Sequence, residues 1–333
     1  NGYQTALLAP TEILARQHYQ SLKAYLGKTK VRVVLLTGSS SDEERRSALS
    51  SIASGEAHIA VGTHALLQPN VHFDNLGLVV VDEQHKFGVK QRAAMLAKGN
   101  RPHRLAMSAT PIPRTLSLTV YGDLDLSVID ELPPGRIPVK TSWVPDSVRD
   151  KTLDAIHARL LKGEQAYMVL PLVEDNPDLE LKSAISYMEE MKPRFSDVGV
   201  ELVHGQMSAE EKERAMGRFV KGVSRMLVAT VVIEVGVDVP AANIMVIEHA
   251  ERFGLSQLHQ LRGRIGRAGG EASLYLFAEP RTPEAVERLK VICSTTDGFK
   301  IAEADLRMRG FGDFIGTRQA GMPRLKLGDP ASD

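Results

Sequence analysis

The sequence predicts an α/β protein built on parallel sheets, and three observations carry that prediction. Short apolar, β-branched runs recur along the chain, stretches of helical period separate them, and a proline-rich break divides the runs into two sets. At 333 residues and about 150 residues per domain, the chain has room for two such domains, each able to bury its own core.

The first set of predicted strands is 5–9, Val31 to Leu36, Ile59 to Gly62, Leu78 to Val81 and Leu105 to Met107. The second is Val139 to Val144, Tyr167 to Leu170, Glu201 to Val203, Met226 to Ala229, Ile244 to Ile247 and Ser273 to Phe277. Between them, Leu132-Pro133-Pro134-Gly135-Arg136-Ile137-Pro138 carries prolines that fit neither a helix interior nor a central strand, and it reads as the interdomain linker. Helix starts are marked by capping boxes at Ser41 with Glu44 and at Ser208 with Glu211, and by Pro283 after Thr282. After about 295 the pattern turns Gly- and Arg-rich, which suggests an appended element. The expected domains are therefore 1–136, 137–294 and 295–333. No short-period repeat is visible, and similarity between the two units is expected in fold only.

Composition narrows the function. The hydrophobic fraction is 43% and the charged fraction 25%, and no apolar stretch approaches the ~20 residues of a membrane span. The single cysteine, Cys293, can form neither an internal disulfide nor a cysteine-based metal site, which fits a reducing compartment and makes the cytoplasm the default. Lys+Arg 41 balances Asp+Glu 41, so a polyanion would have to be held by local basic grooves. Aromatic residues make up only 5%, which favours phosphate contacts over base stacking for any nucleic acid. The chain runs into an apolar strand at Thr5 with neither a basic stretch nor a cleavage site before it, and is read as a fragment.

Asp82-Glu83 directly follows the run Leu78-Val79-Val80-Val81, placing two carboxylates at the carboxyl end of a buried strand, where open α/β sheets bind ligands. A divalent cation would compensate their charge, with Asp82 holding Mg²⁺ and Glu83 orienting an attacking water. The bland alternative is that both merely cap the next turn. In the segment 257–267, Gln260, Arg264 and Arg267 share one helical face, and two internal glycines argue for close approach or local distortion. Guanidinium groups in that setting suit a developing phosphoryl charge, and a solvated basic helix is the alternative. Ser108 and Thr110 close another strand on the rim that carries Asp82. Thr230, Gly236 and Asp238 stand at the exit of a strand in the second unit. His64, His85 and His204 lack zinc-ligand spacing, and no Gly-x-x-x-x-Gly-Lys-Ser/Thr loop is present.

Taken in order, these segments resemble the motif series of superfamily 2 helicases, and most closely the RecG type. Ala9-Pro10-Thr11-Glu12 resembles motif Ia, Val61-Gly62-Thr63-His64 motif Ib, Asp82-Glu83-Gln84-His85 motif II and Ser108-Ala109-Thr110-Pro111 motif III. Val203 to Met207 is similar to the region between motifs IV and V, 228–240 to motif V and 257–267 to motif VI. Tyr121 to Arg136 is RecG-like, and so is Asp82 to Val89, where Lys86 replaces the family's usual arginine. Asp305 to Gly310 with Gly316-Thr317-Arg318-Gln319 resembles the translocation motif shared with the transcription-repair coupling factor, although Phe311 replaces its usual proline.

The resemblance implies two RecA-like motor domains in tandem, the first N-terminally incomplete, followed by a helical hairpin and loop. It implies ATP and Mg²⁺ as cofactors and branched duplex DNA as partner, at stalled forks and Holliday junctions in recombination and repair. The motor would be a monomer, with single-strand-binding protein or other fork proteins as contacts. By the same resemblance Asp82 holds Mg²⁺, Glu83 activates water, and Arg264 and Arg267 face the γ-phosphate from the second domain. Gly236, Asp238 and Gln260 line the nucleotide, while Thr11, Thr63 and Thr230 touch the DNA backbone. Gln84, His85, Ser108 and Thr110, with Arg307, Arg309, Arg318 and Gln319 of the tail, couple hydrolysis to movement. The phosphate loop and the fork-recognising wedge domain that precede motif Ia in the family have no counterpart, so the expectation is a truncated motor, inactive alone. The alternatives are the motor of a coupling factor, a non-catalytic DNA- or partner-binding fragment, and a metal hydrolase built on Asp82, His85 and His204.

Overall fold

Each of the predicted apolar runs forms a strand, and every pairing between them is parallel. The computed structural model describes residues 2–109, 124–129, 131, 135–171, 177–230, 239, 241–267 and 269–309. These fall into two units, one ending at Ala109 and one lying beyond it. No described helix is long and apolar enough to cross a membrane.

In the first unit, β1 (Gln4–Leu8), β2 (Val33–Leu36), β3 (Ile59–Gly62), β4 (Leu76–Val81) and β5 (His103–Ala106) form a sheet of order β2-β3-β1-β4-β5. Helices α1 (Glu12–Leu26), α2 (Asp42–Ala53) and α3 (Val89–Leu96) accompany it. The pleat sends alternate side chains into two cores: Ala6, Leu8, Val79 and Val81 into one, Leu7, Ala9 and Val80 into the other. A strand buried on both faces needs no polar alternation, which is why these strands read as unbroken apolar runs. The capping box at Ser41 closes as expected, with Glu44 N–H donating to Ser41 and Ser41 N–H to the Glu44 carboxylate at 2.9 Å.

In the second unit, β6 (Lys140–Val144), β7 (Gln165–Leu170), β8 (Val200–Val203), β9 (Met226–Thr230), β10 (Ala242–Ile247) and β11 (Ser273–Phe277) are ordered β6-β11-β10-β7-β9-β8. Its helices are α4 (Asp146–Leu161), α5 (Pro177–Met191), α6 (Ala209–Val220), α7 (Leu255–Arg262), α8 (Pro283–Ser294) and α9 (Gly298–Arg309). Ser208 caps α6 through Glu211, and Thr282 caps α8 with Pro283 in its first turn. Ala166, Met168, Val228, Ile244 and Val246 pack one face of this sheet without solvent exposure.

Each sheet follows the same plan. The order β8-β9-β7-β10-β11 repeats β2-β3-β1-β4-β5, leaving β6 with no described counterpart beside β5. On that edge, where the described residues place no further strand, Leu105 is 50% exposed. The correspondence extends to side chains, contrary to the expectation of similarity in fold alone. Gln4 and Gln165 open the equivalent strands β1 and β7, both buried, and each amide donates to one carbonyl at a helix end and one in the loop beyond it, Gln4 to Ile52 and Ala57, Gln165 to Phe219 and Ser224. Two buried glutamines at matched positions thus tie the start of each strand to the end of a helix and to the loop that follows it.

Candidate functional site

The carboxyl end of β4 is shaped by one strained residue. Glu83 adopts a left-handed conformation with φ 45° and ψ 55°, which costs roughly 1–2 kcal/mol for a residue with a side chain. The kink stops the strand and starts a short 3-10 turn over Gln84–Lys86. Gln84 N–H then donates to Met107 C=O at 3.0 Å, and Ala109 N–H donates to the Glu83 carboxylate at 3.2 Å. Ser108 thus lies on the rim beside Glu83, as the sequence indicates. Asp82 is held twice: Glu83 N–H donates to Oδ1 at 2.9 Å, and His18 Nε2 stands 2.7 Å from Oδ2. His85 Nδ1 is 3.6 Å from the Glu83 carboxylate, and Gln84 is buried and receives Arg104 at 3.2 Å.

Both carboxylates are half-buried, and neither pairs with a lysine or arginine among the described residues. An ionised carboxylate has about four acceptor positions, and the protein fills two of those of Asp82. This donor set suits a hard cation bound through one or two carboxylates plus ligand phosphates, as Mg²⁺ is. Among the described residues no cluster of three or more His, Cys, Asp or Glu is assembled, the number a zinc site requires.

The arginine segment departs from the expected helix. α7 ends at Arg262 with Gly263 as its cap, so Gln260 is helical while Arg264 and Arg267 lie in the turn beyond it. Gly266 follows at φ +70°, and a Cβ there would stand 2.8 Å from the Ala272 Cβ, so the glycine serves close approach. Arg267 and Arg136 both donate to Gly263 C=O at 3.2 Å. Arg262 does what the sequence did not announce. Buried, it donates to Ile292 and Thr295 C=O at 2.9 and 2.8 Å and to His259 Nδ1 at 3.0 Å, tying α7 to the end of α8. Burial lowers Arg262 to about 10, and burial with the Arg262 charge pushes His259 down to about 4.

Of the threonines, Thr11 caps α1 and receives Leu14 N–H, whereas Thr63 and Thr230 are 8% and 1% exposed. The two buried threonines occupy equivalent positions, Thr63 following Gly62, which pairs with Leu8, and Thr230 following Ala229, which pairs with Val169; among the described residues Thr230 Oγ1 finds no hydrogen-bond partner. Arg307 is exposed on α9, and Ser256 donates to Asp305 at 3.1 Å, joining α7 to α9. Thr110, Gly236, Asp238, Arg318 and Gln319 lie outside the described residues, as does the side chain of Arg309.

Besides Arg262, three groups escaped the sequence analysis. His18 sits on the inward stripe of α1 among Leu14, Tyr19 and Leu22, where a lone polar residue was the available signal. Glu248 follows β10 as Asp82 follows β4, with Arg149 Nη2 at 2.8 Å and Tyr187 OH at 2.5 Å. The turns after those strands also match: Lys86-Phe87-Gly88 and Arg252-Phe253-Gly254 each lead into a helix whose third residue, Gln91 or Gln257, accepts the glycine N–H at 2.9 and 3.1 Å.

Comparison with known proteins assigns this arrangement to a class. The family model for the DEAD/DEAH box helicases matches residues 1–119, and that for the helicase conserved C-terminal domain matches 149–269, so the chain is of the helicase class. A third model, ATP-dependent DNA helicase RecG, domain 3, C-terminal, matches 295–333. The chain belongs to the RecG family. It is 48% identical over 333 residues to the ATP-dependent DNA helicase RecG of Synechocystis sp., covering 100% of this chain and 40% of that protein. The Bacillus subtilis RecG is 46% identical over 334 residues, covering 100% and 49%. A solved structure of RecG bound to a three-way DNA junction aligns with TM-score 0.77 at 46% identity, covering 94% of this chain and 41% of that one. The chain thus spans less than half the length of these relatives.

Proposed function

We propose that this chain is the motor portion of an ATP-dependent helicase that translocates on and remodels branched duplex DNA. The observation that carries the proposal is the Asp82–Glu83 pair, two half-buried carboxylates fixed at a strand end without a lysine or arginine partner among the described residues. The 46% identity to a RecG structure holding a three-way junction supports branched DNA as the substrate. Asp82 would hold Mg²⁺, which when bound neutralises phosphate charge, and Glu83 would accept a proton from the attacking water.

The remaining assignments belong to the same proposal. Arg264 and Arg267 would meet the developing γ-phosphate charge, and Gly236, Asp238 and Gln260 would contact the nucleotide. Thr11, Thr63 and Thr230 would engage the DNA backbone, the buried pair only after their surroundings shift. Gln84, His85, Ser108, Thr110, Arg307, Arg309, Arg318 and Gln319 would relay between the two. The segments 1–136, 137–294 and 295–333 would act as two motor halves and a translocation element in a cytoplasmic monomer that meets fork proteins during recombination and repair. The edge of β5, beside which the described residues place no strand and where Leu105 is exposed, fits a first sheet that takes up a further strand.

The test is phosphate release stimulated by forked DNA. In the full-length protein Glu83→Gln should lower it by at least about 100-fold while junction binding persists, the usual scale for loss of a general base. Unchanged turnover would reject the assignment. The isolated chain should release no more phosphate than its own Glu83→Gln variant.

A further inference from the structure

We propose that His18 is a positioning residue for the Asp82 carboxylate, orienting it for a divalent cation from a helix that carries no other part of the acidic pair. The proposal rests on Asp82 being the cation-binding carboxylate. His18 Nε2 lies 2.7 Å from Asp82 Oδ2. An ionised carboxylate only accepts, so Nε2 carries the proton and donates. The other oxygen, Oδ1, is taken by Glu83 N–H at 2.9 Å. One bond to each oxygen, from two different elements, fixes the plane of the carboxylate and leaves the remaining lone pairs of both oxygens free for an incoming cation.

The helix that presents His18 is itself immobilised. Glu12 at the start of α1 accepts Ser39 N–H at 3.0 Å and also the Ser39 hydroxyl, and Arg16 donates to that hydroxyl at 3.2 Å. Behind His18, Leu14, Ala15, Tyr19 and Leu22 pack against Leu7, Val61 and Val80. A histidine on such a stripe adds little packing, and a hydrogen bond between side chains that are 29% and 19% exposed adds little stability. What the contact supplies is direction, which a cation site built on a single carboxylate needs from its supporting shell.

The experiment measures Mn²⁺ affinity of the full-length protein in the presence of ADP, from the free-ion electron paramagnetic resonance signal, so no turnover is involved. Wild type, His18→Ala, His18→Gln, Asp82→Asn and the His18→Ala/Asp82→Asn double variant are compared, with melting curves to confirm folding. The expected result is a loss of about 10-fold or more for His18→Ala, recovery to within about 3-fold by His18→Gln, whose amide can donate from a similar place, and no further loss when His18→Ala is added to Asp82→Asn. If Asp82→Asn loses Mn²⁺ and His18→Ala does not, the positioning role is wrong and the cation-binding role of Asp82 stands. If His18→Gln is as weak as His18→Ala, the hydrogen bond is not the cause and the proposal falls. If Asp82→Asn itself binds Mn²⁺ unchanged, the reading of Asp82 fails and this inference fails with it.

Discussion

Glu248 occupies in the second sheet the register position that Asp82 occupies in the first. Asp82 N–H donates to Leu8 C=O at 2.9 Å, and Glu248 N–H donates to Val169 C=O at 2.9 Å. The two carboxylates then part company. Asp82 meets a histidine and a backbone amide, while Glu248, its side chain 8% exposed, meets the Arg149 guanidinium and the Tyr187 hydroxyl. Burial and the Glu248 charge hold the Tyr187 phenol well above its usual range. Burial works to lower Arg149, but the charge and hydrogen bond of Glu248 outweigh it and raise the guanidinium instead. One sheet therefore leaves its strand-end carboxylate open to a cation, and the other neutralises its own internally.

Removing the internal cation should be expensive. Arg149→Met leaves a buried carboxylate uncompensated and is expected to destabilise the protein by about 3 kcal/mol, whereas Glu248→Gln, which keeps hydrogen-bonding capacity, should cost about 1–2 kcal/mol. The double variant should be less damaging than the sum of the two. Urea titrations of the three variants decide it, and a loss below about 1 kcal/mol for Arg149→Met would show that Glu248 does not depend on that partner.

Backbone strain at the matched turns gives a second expectation. His249 has φ 49°, as Glu83 has φ 45°, and each begins the turn after its strand. His249 makes one exposed contact, Nδ1 to Glu251 at 3.5 Å, so His249→Gly should raise stability by about 1 kcal/mol by relieving left-handed strain. Glu83→Gly relieves the same strain but removes the acceptor of Ala109 N–H, so its gain should be smaller, and in the full-length protein the proposed function has it abolish fork-stimulated hydrolysis. A lower melting temperature for His249→Gly would mean that its side chain holds the turn.

The acid side of the stability profile follows from His259. Its value falls from 6.5 to about 4 because burial and the neighbouring Arg262 charge oppose protonation. A depressed value means the fold favours the neutral ring, so this stabilisation is complete above pH 6.5 and is lost as pH falls toward 4. At about 1.4 kcal/mol per unit the loss amounts to roughly 3 kcal/mol. Asn at 259 keeps an acceptor near Nδ1 without titrating. His259→Asn should therefore flatten urea stability between pH 6.5 and 4, and an unchanged slope would assign the acid sensitivity elsewhere.

Strands and helix caps were legible because their causes are local. An apolar run buried on both faces, or a serine three residues before a glutamate, states its structure within a few positions. The acidic pair was legible for the same reason, since it follows directly on the run that buries it. His18 and Asp82 are 64 residues apart and Arg149 and Glu248 are 99 apart, and no local pattern joins such partners. The end of α7 was misjudged on periodicity, which carries through Arg264 and Arg267, while the backbone turns at Gly263. The matched Phe-Gly turns could have been read. Phe87-Gly88 with Gln91 and Phe253-Gly254 with Gln257 have the same spacing, and a search for short-period repeats passes over two copies so far apart.

Gly266 gives the sharpest test of the arginine turn. Its φ of +70° is unfavourable for any residue with a Cβ, and that atom would stand 2.8 Å from the Ala272 Cβ, a part of the chain with little freedom to retreat. Left-handed strain of roughly 1–2 kcal/mol and overpacking of about 1–3 kcal/mol both oppose Gly266→Ala. Together they predict a loss of about 2–5 kcal/mol, with displacement of Arg264 and Arg267 on either side. Gly217 provides the control. It lies within α6, a Cβ there meets nothing within 4 Å, and Gly217→Ala should gain about 0.5–1 kcal/mol from helix propensity. Opposite signs for the two substitutions in denaturant unfolding are expected. Equal and small effects would mean that the turn bearing the arginines tolerates a side chain, and that its geometry is not what holds them.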